Sequence, residues 1–347
     1  MHILRTTVAA LLLPISLLVP CLHAQTRTAA DILREFDRLS FPSMSRDASP
    51  EGAARFRAEV REIARRKCEL ANDLFELDPD NARMADLIGK RWALMINSLQ
   101  LPADVLTEAD AFLKNEALRD DLRREALLAR TRGLLATDAA PPACLRAIQA
   151  LLEVDPKSTG AGLAIMELLR TRDIPPQACR ELVTQVQKSW PDDKWISADA
   201  KGFAGQLDRI GKPLDLAFDD ILGSGEVRSD TSPCPHTLAI YWSTQMPADF
   251  DAVKADVAAR KGLRTIGVVT FRNKDGVAAV TEQLKARGID WPHCYDEAKI
   301  GNPFESAYRT PRTPFYYLLD DKGVVVRFAY EWAVMRRILD GLKIGRS

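Results

Sequence analysis

Sulfur is the first chemistry to test in this chain. Six cysteines, Cys21, Cys68, Cys144, Cys179, Cys234 and Cys294, are spread over its 347 residues. A thiol acts as nucleophile or redox group through its thiolate, which a cation, a helix N-terminus or a partner cysteine stabilises. No two of these cysteines stand at C-x-x-C spacing. Two have suggestive neighbours: Cys294 follows His293, and Cys234 lies between Pro233 and Pro235. An adjacent imidazole can lower a thiol pKa, but neighbours on a strand point to opposite faces, so His293 and Cys294 are expected to diverge. Cys144 and Cys179 sit near the starts of consecutive helices, and a bridge between them is open to an exported protein. Past Cys21 the count is odd, so at least one thiol stays unpaired unless a partner joins. His236 and His293 have no second ligand at helical or ribbon spacing. The pattern implies no metal site, and no cofactor is expected.

The stretch with the strongest local grammar runs from His236 to Phe250. Leu238 to Trp242 is a continuous apolar run, as in a strand buried on both faces. Ser243, Thr244 and Gln245 break it. Pro247 then stands where a first helical turn begins, with Asp249 inside that turn, where the helix dipole favours a carboxylate. The reading is strand, tight turn, helix.

This stretch resembles the active-site segment of the TlpA-like branch of the thioredoxin family, aromatic-Trp-Ala-Thr-Trp-Cys-Pro-x-Cys. Tyr241-Trp242-Ser243-Thr244 matches its first half and Pro247 its proline. Gln245 replaces the second tryptophan, and Met246 and Asp249 stand where the two cysteines belong. A thioether cannot ionise and a carboxylate cannot exchange with sulfur, so these positions cannot run a dithiol–disulfide cycle. A second landmark is Arg312-Thr313-Pro314-Phe315. The resemblance implies a cis peptide bond at Pro314, with the preceding residue offering its backbone to an extended substrate. Trp242, Gln245, Met246, Pro247, Asp249, Thr313 and Pro314 are then the residues expected to line an inherited groove. The family match extends over about residues 210 to 345. A peroxiredoxin reading fails, because no cysteine follows the Pro-x-x-x-Thr/Ser-x-x context it needs.

The elements that must hold these residues alternate. Strands are expected at about 237–242, 264–270, 291–296, 315–319 and 324–328, the last two joined by an Asp-Lys-Gly turn. Helices are expected at about 247–260, 275–287 and 331–342. Gly-Lys-Pro at 211–213, then Leu214 to Phe218 and the turn Gly223-Ser224-Gly225, resembles the entry hairpin of TlpA-like domains.

Upstream, from Thr28 to about Asp208, the sequence reads as eight or nine helices. Ser49-Pro50-Glu51 is a helix start, and the Arg61, Arg65, Arg66, Lys67 cluster is read as a solvated face. Leu74 to Pro79 echoes Leu151 to Pro156, and Pro141-Pro142 echoes Pro175-Pro176 at a spacing of 34. That period resembles tetratricopeptide-type helix pairs. The cysteines at 144 and 179 fall one residue off it.

The fold class expected is an all-α, repeat-like region at 28–208, followed by an α/β thioredoxin-like domain at 210–347. Residues 1–24 read as a signal peptide: His2 and Arg5, an apolar stretch from Val8 to Val19, and Ala24 at the cleavage site. The expected address is periplasmic or extracellular. Pro20 disfavours a lipobox at Cys21. The net charge is zero, with 46% hydrophobic and 28% charged residues, which gives no pull toward nucleic acid or an anionic membrane. Three functions fit. One is a non-redox binding or assembly protein, with a peptide or protein partner on the helical region or the cis-proline groove. One is an oxidoreductase with a displaced cysteine, Cys294 or Cys234. One is a helical-repeat adaptor.

Overall fold

The computed structural model describes residues 27–43, 49–243, 250–269, 276–295 and 313–345. The expected leader, and Gln245, Met246, Pro247 and Asp249, lie outside them. Two compact units divide at Met84.

The first unit holds α1 (Ala29–Arg38) and α2 (Pro50–Leu77). Thr28 and Asp31 close a capping box on α1, and Ser49 caps α2 with Pro50 behind it. The cationic cluster on α2 does more than face water. Arg66 pairs with Glu35 of α1 at 2.6 Å, and Lys67 donates to the Phe36 carbonyl at 2.8 Å while lying over that ring.

The second unit begins with seven helices among the described residues: α3 (Met84–Asn97), α4 (Pro102–Leu113), α5 (Asp120–Ala136), α6 (Pro141–Val154), α7 (Thr159–Thr171), α8 (Pro176–Ser189) and α9 (Lys194–Leu207). Proline opens α4, α6 and α8, where its missing N–H has no intrahelical acceptor anyway. The repeat is real in structure but its register is 35, not 34: α6 and α8 start at Pro141 and Pro176, α7 and α9 at Thr159 and Lys194. The proline pairs misled because Pro175 occupies the cap position and Pro142 the second turn position, and proline is tolerated at both. In the corrected register Cys144 and Cys179 are equivalent. Both are free, and each thiol donates to the carbonyl five residues back, Ala139 at 3.7 Å and Ile174 at 3.5 Å.

The chain changes from helix to strand where composition changes. Leu207 ends α9, and β1 (Ala217–Asp219) pairs with β2 (Glu226–Arg228) across Gly223 and Gly225, both at positive φ as tight turns require. The main sheet contains β3 (His236–Trp242), β4 (Leu263–Val269), β5 (His293–Tyr295), β6 (Phe315–Asp320) and β7 (Val325–Ala329). Its order is β5-β4-β3-β6-β7. β3, β4 and β5 run parallel to one another, β6 is antiparallel to β3, and β7 is antiparallel to β6 and so points the same way as β3. With α10 (Phe250–Ala258), α11 (Val277–Ala286) and α12 (Trp332–Gly341), this is a thioredoxin-like α/β topology behind a helical region. Asp275, expected to start α11, lies outside the described residues, and Gly276 holds the cap position.

Alternation along β3 divides the core. Leu238, Ile240 and Trp242 face Phe250, Val253, Leu284 and Ile338 of α10, α11 and α12. Ala239 and Tyr241 face the opposite way, with Val268, Phe315 and Tyr317, into a cluster that includes Leu168, Val183, Phe203 and Leu207 of the helical region. Phe203 stacks on Tyr330 at 5.7 Å and meets Phe328 edge-on at 5.4 Å. Tyr317 donates its hydroxyl to buried Gln206. A buried side chain of this size contributes about 1.5–3 kcal/mol. A part-exposed pair such as Arg337–Asp138, at 3.2 Å, contributes roughly 0–1 kcal/mol. The apolar layer, not the ion pairs, joins helices to sheet. Compactness therefore does not divide at residue 210: Ala85–Ser347 is one unit.

Candidate functional site

The site frame forms where β3 ends and β6 begins. Tyr241 pairs with Phe315 in antiparallel register, which carries Ser243 and Thr313, two residues further along, toward each other. Their hydroxyl oxygens lie 3.4 Å apart, both buried. The Thr313–Pro314 peptide bond is cis, the state favoured from sequence. Pro314 itself is half-buried. So the strand end and the proline meet, although they lie 70 residues apart in sequence.

Trp242 does not line a groove. It has no exposed surface, and its ring packs edge-on against Phe250 at 4.8 Å and His293 at 5.7 Å. Its place on β3 explains this: it falls on the face covered by α10. Trp242 props the site from below.

His293 is the polar centre of that prop. The imidazole is fully buried, with Nδ1 2.8 Å from the Trp291 carbonyl. Nδ1 therefore donates, and Nε2 keeps a buried lone pair without a partner. Burial holds this histidine down at about 4, so it is neutral at physiological pH. Gly267 sits opposite it across β4 and β5, and a Cβ there would come within 2.1 Å of the ring. The glycine is the notch that admits the histidine.

Asp220, which sequence reasoning passed over, fixes this edge. Its carboxylate accepts from the backbone of His293 at 2.8 Å, from the backbone of Leu222 and Ser224, and from the Ser224 hydroxyl at 2.7 Å. Burial works to raise its pKa, but the Ser224 hydroxyl and the three N–H donors outweigh that, and it lies below the ordinary aspartate value. The signal was present: an Asp just ahead of Gly-Ser-Gly is an Asx-turn former.

The cysteines do not gather at this frame. Cys294 is buried on the opposite face of β5 from His293, in the cluster shared with the helices, as strand alternation requires. Cys234 is half-buried and precedes β3, while the site lies beyond its far end. The strand between them spans about 20 Å. No disulfide joins any two of the five described cysteines. Burial pushes the Cys179 thiol up to about 11 and raises Cys144 as well. Among the described residues no His, Cys, Asp and Glu cluster could hold a metal ion, and no helix is long and apolar enough to cross a membrane.

No family model matches the chain, and no curated protein matches it. Solved structures do. A thioredoxin-like protein from Bacteroides caccae is 12% identical, covers 87% of this chain and 97% of its own, with a TM-score of 0.35. A thiol-disulfide oxidoreductase from Bacteroides fragilis is 12% identical over 37% of this chain and 97% of its own, with a TM-score of 0.32. StoA from Bacillus subtilis is 14% identical, over 37% and 97%, with a TM-score of 0.30. A likeness of this degree transfers no residue role.

Proposed function

We propose that this is an exported, TlpA-like thioredoxin-fold protein that has lost dithiol exchange and works by binding or assembly. One observation carries the reading. The frame of strand end and cis-proline is kept, while Met246 and Asp249 occupy the places where the chemistry needs sulfur. Its natural ligand is an extended peptide segment, held through backbone contacts beside Thr313 and Pro314. Export rests on the leader pattern at residues 1–24.

A displaced thiol is the competing reading, and the site's surroundings give it little support. Reaction needs an accessible thiolate, yet Cys294 is buried away from the one nearby imidazole. Iodoacetamide labelling of the native chain across pH 5 to 9, mapped by mass, separates the two. The expected result is no cysteine labelled at a rate that titrates below the ordinary thiol range, about 8.5. A fast-labelling Cys234 or Cys294 at pH 6 would restore the enzyme reading.

A further inference from the structure

The corrected repeat register exposes a surface that lies apart from the cis-proline frame. The outward side of α7 carries Gly160, Leu163, Glu167 and Arg170. One repeat on, α9 carries Trp195, Ala198, Gly202 and Gly205 at the equivalent places. The four α7 residues line one open groove, and Ala198, Gly202 and Gly205 of α9 line another, with Trp195 outside its lining on the same helix. That of α7 has a volume of about 460 Å³ and continues onto Ile96 of α3 and Arg132 and Leu135 of α5. That on α9, of about 620 Å³, is edged by Lys201, Arg209 and Lys212. The Arg170 guanidinium, which lines the first groove, pairs with Asp199 of α9, one turn beyond Trp195.

Two side chains stand out of this surface without cover. Trp195 is 86% exposed and Leu163 48% exposed. The other five tryptophans are all buried. An isolated exposed leucine needs no explanation. Tryptophan is enriched among the side chains that dominate binding energy, and this one is presented on the helix that carries the second groove. The charge around it has one sign in excess. Lys201 and Lys212 form no ion pair among the described residues, whereas Arg132 interacts with the Glu125 carboxylate, Asp208 is paired with Arg180 at 2.9 Å and Glu167 lies 3.9 Å from Arg170.

We infer that this face of α5, α7 and α9 docks an acidic amphipathic segment of a partner protein. Its apolar side would cover Leu163 and Trp195, with its carboxylates against Lys201 and Lys212. Small residues on the floor let a helix approach closely, the geometry of helix-in-groove recognition. This does not depend on the loss of thiol chemistry. A redox-active protein could carry the same surface.

The test uses the full chain and a labelled synthetic helix of Glu, Ala and Leu, about 18 residues long, with leucines at i and i+4 spacing. Its Lys-for-Glu counterpart and phosphatidylglycerol vesicles are the controls. Iodide quenching of fluorescence reads Trp195 directly, because the other tryptophans are shielded. The expected result is salt-sensitive binding of the acidic helix that protects Trp195 from iodide. Trp195→Ala and Lys201→Glu/Lys212→Glu should each weaken it about tenfold or more, with unchanged circular dichroism. Binding unaffected by these variants, preference for the Lys peptide, or protection of Trp195 by vesicles alone would overturn the inference. So would no binding of the acidic helix at millimolar concentration.

Discussion

His293 shows how one residue can be misread and still matter. Beside Cys294 in sequence, it suggests thiol activation. In the fold the two side chains part to opposite faces, and the imidazole becomes a buried neutral wedge. Its folded pKa, about 4, lies below the unfolded value of about 6.5. The unfolded chain therefore takes up a proton first as pH falls. This stability is fully present above pH 6.5 and is lost as pH drops toward 4, by roughly 3 kcal/mol at most. Urea melts at pH 7.5, 5.5 and 4.5 should show that loss, and His293→Gln should flatten the slope while lowering stability at pH 7.5. An unchanged slope in the variant would place the titration elsewhere. Asp220, held low, titrates in a separate and more acid window. Gly267→Ala should cost about 1–3 kcal/mol through overpacking against the ring. Combined with His293→Ala it should cost less than the sum of the two, since the clash is then gone. Additive losses would mean that the glycine serves some other purpose.

At the scale of elements, most of the architecture was legible. Continuous apolar runs marked β3 and β6, and Ile266, Val268 and Val269 marked β4, because central strands are buried on both faces. The cis proline was legible through the Arg-Thr-Pro-Phe segment and the apolar strand behind it. The repeat register was not, because two proline pairs gave a stronger visual echo than the cysteines that truly correspond. Trp242 was assigned to the groove because the motif names it, whereas strand parity alone assigns it to the core. Tyr317 and Gln206 meet across 111 residues, and no local pattern announces such a pair. Tyr317→Phe should leave Gln206 short of its buried donor and cost about 1–3 kcal/mol. A loss below a few tenths would mean that water fills the role.

For the whole molecule, the telling feature is the shared core. Helix gives way to strand after Leu207, but the helices cover one face of the sheet with Phe203, Leu207 and their neighbours. A fragment of 211–347 would expose Tyr241, Phe315 and Tyr317 on that face. It should aggregate or bind a hydrophobic dye strongly, whereas a fragment from Ala85 should fold. A soluble, cooperatively melting 211–347 fragment would show that the sheet is self-sufficient and the helices an accessory.

The central claim is that a sulfur enzyme's frame persists here without its sulfur. Insulin reduction under dithiothreitol, followed by turbidity with the native chain and with its thiols alkylated, tests it most directly. The account predicts that both match the protein-free rate. Acceleration by the native chain that alkylation abolishes would contradict it.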